Sequence, residues 1–285
     1  MNRQRKRHLE ENIFKVLMIA AALTIIAVFF AILGSIAVKG LPAMSWEMIT
    51  QTPKGGYYLG KEGGILNAIV GSLILAVGAT FLASMIGIPV VLYLNIYRKK
   101  NSLFVNAIRT SFDVMWGIPS IVYGAFGFSV MIFFGMQASL LAGIIIVSLV
   151  IFPVISRTVD EVIQLIPKGL IDASYSLGAT RYETAFKIIT RQAYPGILTA
   201  LLIAFGRAIG DAAAVLFTTG YTDAIPTSLF QAAATLPLAI FFQLGTPIPE
   251  VQARAYASAF ILTLIILLIS ILARIITRKF SRFKI

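Results

Sequence analysis

The chain has 285 residues, of which 58% are hydrophobic and 13% charged, with a mean hydropathy of +0.89. A soluble domain carries about 25% charged residues, so this balance excludes a soluble enzyme or binding module and marks an integral membrane protein, all-α in fold class, with lipid as its surroundings. The formal net charge of +12 does not indicate a nucleic-acid partner, because the basic residues cluster at the ends of apolar runs, where the positive-inside rule places them; the absence of cysteine excludes disulfides and thiol chemistry.

A spanning helix needs about 20 mostly apolar residues, and six segments qualify in chain order. The first, Ile13 to Val38, follows the basic stretch RQRKRH; it is too long for the roughly 7–15-residue apolar core of a signal peptide and reads as an uncleaved first span. The others run from about Ile65 to Tyr93, Phe104 to Phe134, Leu140 to Ile155, Pro195 to Thr219 and Ala255 to Ile276. Six transmembrane helices place both termini on one side. With that side cytoplasmic, it holds Arg3, Arg5, Lys6, Arg7 and Lys15, Arg98 to Lys100 and Arg109, Arg157, Lys168, Arg181, Lys187 and Arg191, and the tail from Arg274 to Lys284; the other side holds only Lys39, Lys54, Lys61 and Arg254.

Between these segments the connections differ. Lys39 to Gly64 is rich in Gly and Pro and reads as a flexible outer loop. In the third segment Trp116-Gly117-Ile118-Pro119-Ser120 predicts a kink, since proline removes a backbone donor; such a break serves either packing or a transport pathway. Tyr221 to Arg254 holds Pro226, Pro237, Pro247 and Pro249, and its apolar part, Ser228 to Leu244, is short enough to suggest a re-entrant or interfacial hairpin acting as an outer lid. Neither internal repeats nor a linker is evident, so residues 1–285 are expected to form one membrane domain.

Catalytic chemistry is not visible. There is no phosphate-binding Gly-rich loop of the G-x-x-x-x-G-K-[ST] kind. The only histidine, His8, lies in the basic tail, so neither a metal cluster nor a Ser-His-Asp triad can be assembled. No catalytic residue, metal or cofactor is expected, and energy from ATP would have to come from a separate subunit.

Two stretches carry the functional signal. Within the fifth segment, Arg207 sits about halfway along, roughly 18 Å from Pro195 at a rise of 1.5 Å per residue, and Asp211, four residues on, would project from the same face. A charge at the bilayer centre costs at least about 2.5–3.5 kcal/mol and persists only against protein, water or a partner. Either the two form a self-neutralising structural pair, or Arg207 meets an anion in transit, its planar fork of donors matching an oxyanion, while Asp211 limits how tightly that anion is held. The small residues Gly206 and Gly210 would let other backbones approach. Preceding this span, Pro167 suits a first helical turn and Gly178 a stop, so Lys168 to Leu177 is predicted as a short helix, followed by an amphipathic one from about Arg181 to Ile189; a polar helix–turn–helix on the positive side is a docking element or an ordinary structured loop.

Asp172-Ala173-Ser174-x-x-x-Gly178, with Ile188 ten residues beyond, resembles the EAA loop of ABC importer permeases, with Asp for Glu, Ser for Ala, and Thr190-Arg191 where Leu-Pro is usual. Gly64-Ile65-Leu66-Asn67-Ala68-Ile69-Val70-Gly71-Ser72, Gly117-Ile118-Pro119-Ser120-Ile121-Val122-Tyr123-Gly124 and Arg207-Ala208-Ile209-Gly210-Asp211 are similar to stretches of phosphate permeases, the last with Asp where that family has Glu. Thr235-Leu236-Pro237 and the loop after it look more like the PstA-type subunit than its PstC-type partner. The resemblance covers nearly all the chain after Leu59. It implies the MetI-like ABC importer permease fold, with a core from about residue 64 to 278, and an assembly with a paralogous permease, two ATPase subunits and an extracytoplasmic phosphate-binding protein. It also implies phosphate transport past Arg207 and Asp211, and coupling to the ATPase through Asp172, Ala173, Ser174 and Gly178. A PstC-like subunit, a permease for another oxyanion such as molybdate, and a stand-alone secondary carrier are the competing expectations.

Overall fold

The computed structural model describes residues 3–54, 62–98 and 102–281. Of the basic residues used for orientation, Lys61, Lys99, Lys100, Arg282 and Lys284 lie outside the described residues. The elements in order are α1 (Arg3–Gly40), a 3-10 turn (Leu41–Ala43), α2 (Trp46–Thr50), the two-residue strands β1 (Pro53–Lys54) and β2 (Glu62–Gly63), α3 (Leu66–Ile96), α4 (Leu103–Gly117), α5 (Ser120–Phe133), α6 (Leu140–Gln164), α7 (Lys168–Ser176), α8 (Arg181–Glu183), a π-helical turn (Thr184–Ile189), α9 (Thr190–Gly210), α10 (Leu236–Leu244) and α11 (Pro249–Ser281). By length and composition five helical stretches can cross a membrane: Glu10–Ala43, Leu66–Ile96, Leu140–Gln164, Arg181–Gly210 and Pro249–Ile275. The sixth candidate is the pair α4 and α5, bent by 96°.

The expected kink in the third segment is therefore a corner. Pro119 occupies the N-cap position of α5, with φ −58° and ψ 138°, and Ile118 before it is extended, as the residue preceding a proline prefers. The Tyr123 hydroxyl donates to the Met115 carbonyl across the corner at 2.9 Å, joining the Ile118 amide, which donates to the same carbonyl at 3.3 Å.

Helix α6 is the centre of the molecule. Its buried residues, among them Val147, Ile151, Ile155 and Val159, join Leu75, Ala79 and Leu94 of α3, Val105 and Phe112 of α4, and Ile197, Ala200 and Ala204 of α9 in one apolar core. A smaller cluster joins Met48 and Ile65 to Leu236, Ala239 and Ala257. The outer connection is thus partly built rather than loose: Ser45 caps α2 by accepting from the Met48 amide at 3.2 Å, and β1 pairs antiparallel with β2. Helix α1 differs from the rest. Its side chains from Glu10 to Ile32 are exposed, and it meets the bundle only near its end, where Gly40 lies against the Tyr256 backbone.

Two expectations are corrected here. The fifth span does not run from Pro195 to Thr219: one continuous stretch from Arg181 to Gly210 absorbs the predicted amphipathic helix Arg181 to Ile189 and then stops early. Gly210 is a poor helix former, and the Asp211 carboxylate accepts from the Ala214 amide at 2.9 Å, a local bond that competes with helical continuation. The stretch Ser228 to Leu244, expected as a re-entrant or interfacial hairpin, is helical only in its second half. Residues 211–235 are irregular turns, and only α10 is helical.

Candidate functional site

Irregular backbone within a helical bundle must find partners inside the protein, and residues 211–235 do so. The first amides of α6 need acceptors: Ser139, Leu140 and Leu141 donate to the carbonyls of Thr218, Gln231 and Leu229 at 2.9, 2.8 and 2.7 Å. Asn67 of α3 donates to the Thr222 carbonyl at 2.7 Å, and Ser72 accepts from the Leu236 amide at 2.7 Å. Close approach is allowed by glycines on three helices. A Cβ on Gly71 would strike the Ala234 carbonyl, one on Gly143 would strike Thr219, and one on Gly124 would lie 2.8 Å from the Ala213 carbonyl. The break after α9 is thereby wedged against the start of α5, just past the corner at Ile118-Pro119.

Arg207 lies in the last turn of α9, partly buried, within electrostatic reach of the Tyr123 hydroxyl on α5. Among the described residues it makes no hydrogen bond or ion pair. Asp211 is past the helix end, with φ −79° and ψ 115°, so the two do not project from one helix face, and its carboxylate serves the Ala214 amide instead. A cation in a last helical turn is favoured by the carbonyl end of the helix dipole; those same carbonyls, with Asp211, weaken the hold of Arg207 on any anion. Among the described residues nothing lies within 4 Å of a Cβ position at Gly206 or Gly210, so the expected backbone approach is not seen there. An open, mostly apolar cavity of 510 Å³ between α9 and α11, bounded by Thr199, Phe205, Gly206, Ile209, Ile266 and Arg274 among others, lies on a different side and does not include Arg207.

The loop with α7 is built from capping chemistry. The Gly178 amide donates to the Tyr175 carbonyl at 2.9 Å and the Ala179 amide to the Ser174 carbonyl at 3.1 Å, with Gly178 at φ +83°; this is the Schellman termination that glycine permits. Thr180 then caps α8 in a reciprocal box with Glu183, as [ST]-x-x-E predicts. Ser174 is buried, its hydroxyl 2.8 Å from that of Thr184, and so pins α7 onto the start of the next helix. Asp172 and Ala173 are exposed. Around them the surface is apolar: Leu165 and Leu177 are 83% and 89% exposed, and Leu170, Tyr175, Tyr182 and Phe186 are also exposed.

One constellation is not anticipated from the sequence. Asp160 of α6, fully buried, receives Arg109 of α4 through two parallel bonds of 2.8 and 3.0 Å. Asn95 of α3 donates to it at 2.7 Å and Gln164 of α6 at 2.7 Å. Arg109 also reaches the Asn95 carbonyl oxygen at 3.3 Å. Arg157 bridges outward to Asp113 at 3.2 Å and Glu161 at 3.4 Å. A buried carboxylate so fully paired is costly to break, about 3–5 kcal/mol when one partner is lost. The signal available was Asp160 on the apolar face of a span, which cannot be buried without a cation.

A family model described as the binding-protein-dependent transport system inner membrane component matches residues 87–282. The chain belongs to this family. It is accordingly a multi-pass permease component of the inner membrane and not an enzyme. The permease is 33% identical over 259 residues to the phosphate transport system permease protein PstA of Pasteurella multocida, which covers 89% of this chain and 91% of that protein. It is 33% identical over 270 residues to the probable phosphate transport system permease protein PstA of Methanocaldococcus jannaschii, covering 92% of each. Among solved structures, a permease chain of the bacterial alginate ABC transporter, crystallised in complex with an alginate pentasaccharide-bound periplasmic protein, superposes with a TM-score of 0.67 over 100% of both chains at 14% identity. A chain of the inward-facing MetNI methionine ABC transporter gives 0.61 over 76% of this permease and 95% of that chain at 22% identity. These likenesses show the MetI-like fold.

Proposed function

We propose that this permease forms half of the translocation pathway of an ATP-driven phosphate importer, with the anion passing Arg207. The observation that carries the proposal is a partly buried guanidinium at the end of a span without an ion-pair partner among the described residues, in a chain whose full-length relatives are phosphate permeases. A buried charge without a partner is expensive, and a negative solute in transit supplies the missing partner only while it passes. The helix-end carbonyls and Asp211 keep the encounter weak, which a pathway requires and a storage site does not. Because the relatives transport phosphate, a singly protonated form could donate to Asp211.

In this proposal the end of the bundle that carries α7 faces the cytoplasm, where the positive-inside rule puts the basic flanks, and both termini lie there. The exposed apolar surface of Leu170, Tyr175, Leu177, Tyr182 and Phe186, around Asp172, Ala173 and Gly178, docks one ATPase subunit. The second permease brings the other ATPase, and an extracytoplasmic phosphate-binding protein delivers the solute on the opposite face. The whole chain acts as one permease domain.

The test is uptake of labelled phosphate by the reconstituted complex of both permeases, two ATPases and the binding protein. Arg207→Gln should abolish uptake while the complex still assembles and retains basal ATP hydrolysis. Native uptake in that variant would refute the proposal.

A further inference from the structure

Resting on the function just proposed, we infer that Arg109 and Asp160 are positioning residues that lock α4 to the end of α6, so that α4 moves as one body with the docking loop and delivers its motion to the corner beside Arg207. The juxtaposition is continuous. Gln164 is the last residue of α6, three residues before Pro167 opens α7, and it donates to Asp160. Asp160 holds Arg109 in a two-bond fork, a geometry that fixes orientation as well as distance. Helix α4 ends at Gly117, and Tyr123 ties the corner beyond it back to Met115. Tyr123 in turn lies within electrostatic reach of Arg207.

What makes the pair a lock rather than one contact among many is its burial: Asp160 is 0% exposed, whereas the other ion pair from α4 to α6, Asp113 to Arg157 at 3.2 Å, has side chains 53% and 30% exposed, and such pairs hold weakly. Helix α4 is a 15-residue helix whose buried residues are Val105 and Phe112, with Phe112 edge-on to Phe152 of α6 at 5.6 Å between ring centroids. Val105, Arg109 and Phe112 recur at helical spacing on one face. Two apolar side chains allow sliding, because apolar contact is non-directional. The paired ions between them do not, since a shift along α6 would pull Arg109 off the buried Asp160 and leave that carboxylate only the amides of Asn95 and Gln164 and the more distant Arg157, at 3.9 Å.

Two readouts use the full complex in vesicles. The chain has no cysteine, so spin labels at Leu103→Cys on α4 and Leu165→Cys beside the end of α6, both highly exposed, report their separation. A second pair, Leu103→Cys with Val77→Cys on α3, exposed as well, is the reference. Trapping the complex with ATP and vanadate should leave the first distance unchanged and alter the second. A change in the first distance overturns the inference. If neither distance responds to ATP, or native vesicles take up no phosphate, it is the functional proposal that fails.

The second readout is phosphate transported per ATP hydrolysed. Arg109→Gln should lower it by about tenfold, inside the roughly 5–150-fold span of ordinary coupling free energies, with the complex still recovered. Joining Asp113→Cys to Arg157→Cys in that background with a short bifunctional thiol reagent should restore the ratio by replacing the lost lock. A merely structural pair would reduce yield and thermal stability and leave the ratio at its native value, and that outcome overturns the inference. If Arg109→Gln does not assemble, Arg109→Lys keeps the charge but cannot make the two-bond fork to Asp160. A fall in the ratio of that variant supports the inference, and a native ratio overturns it.

Discussion

Gly178 offers a clean separation of backbone conformation from side-chain contact. Its φ of +83° lies in the left-handed region, and a Cβ there would meet nothing within 4 Å, so Gly178→Ala costs conformational energy alone, about 1–2 kcal/mol. Gly169, the second residue of α7, also meets nothing among the described residues within 4 Å but has no positive φ, so Gly169→Ala should be neutral or stabilising by up to about 1 kcal/mol. The same methyl group therefore has opposite signs nine residues apart. A cost of 1–2 kcal/mol is a factor of about 5–30 in population. If the Schellman turn holds α7 in the pose that docks the ATPase, Gly178→Ala should weaken capture of the ATPase subunit by that factor in detergent titrations. Asn, which tolerates the left-handed region better, should fall between Gly and Ala. Thermal unfolding of the permease should change little in all three. Equal losses in Gly169→Ala and Gly178→Ala, or no loss in the latter, would refute the reasoning.

Other outcomes follow from the geometry. Asp211→Asn keeps an acceptor for the Ala214 amide and removes the charge, whereas Asp211→Ala removes both and should cost about 1 kcal/mol of stability as an N-cap loss does; phosphate uptake that falls in both variants, with lower thermal stability only in Asp211→Ala, assigns Asp211 a charge role in the pathway. Leu177→Glu, on a side chain 89% exposed, should abolish ATPase co-purification without lowering the melting temperature. Gly71→Leu cannot be accommodated, since even a Cβ would strike the Ala234 carbonyl; it should reduce the yield of folded permease sharply, while Gly34→Leu, with no neighbour within 4 Å, should express normally.

Much of the architecture is legible in the chain because a membrane leaves few options. Apolar runs of spanning length must be helices, so segments from Ile65, Leu140 and Ala255 appear as α3, α6 and α11, with α6 running nine residues past the expected end at Ile155 to Gln164. The loop is legible for a local reason: Pro167 and Gly178 act within one or two turns of themselves, and the short helix forms from Lys168 to Ser176. Local rules fail where a backbone conformation depends on a distant partner. In the apolar run through Asp211, Gly210 and the Asp211 cap are only weak local stop signals; that the backbone stays irregular to residue 235 depends on amides at the start of α6 and on the Asn67 and Ser72 side chains of α3. Pro119 announces a bend but not a 96° corner, which depends on α5 packing its glycines against that irregular segment.

Hydropathy and capping alone therefore determine that this chain crosses a membrane several times, carries a short helical loop between two spans and places an arginine inside the span after it. Only the tertiary structure decides that Arg207 and Asp211 part company at a helix end, and that Asp160 meets Arg109 across 51 residues of sequence. The physical reason is range: turns and helix ends are set by bonds between near neighbours, whereas the pairing of buried charges is chosen by how whole helices pack.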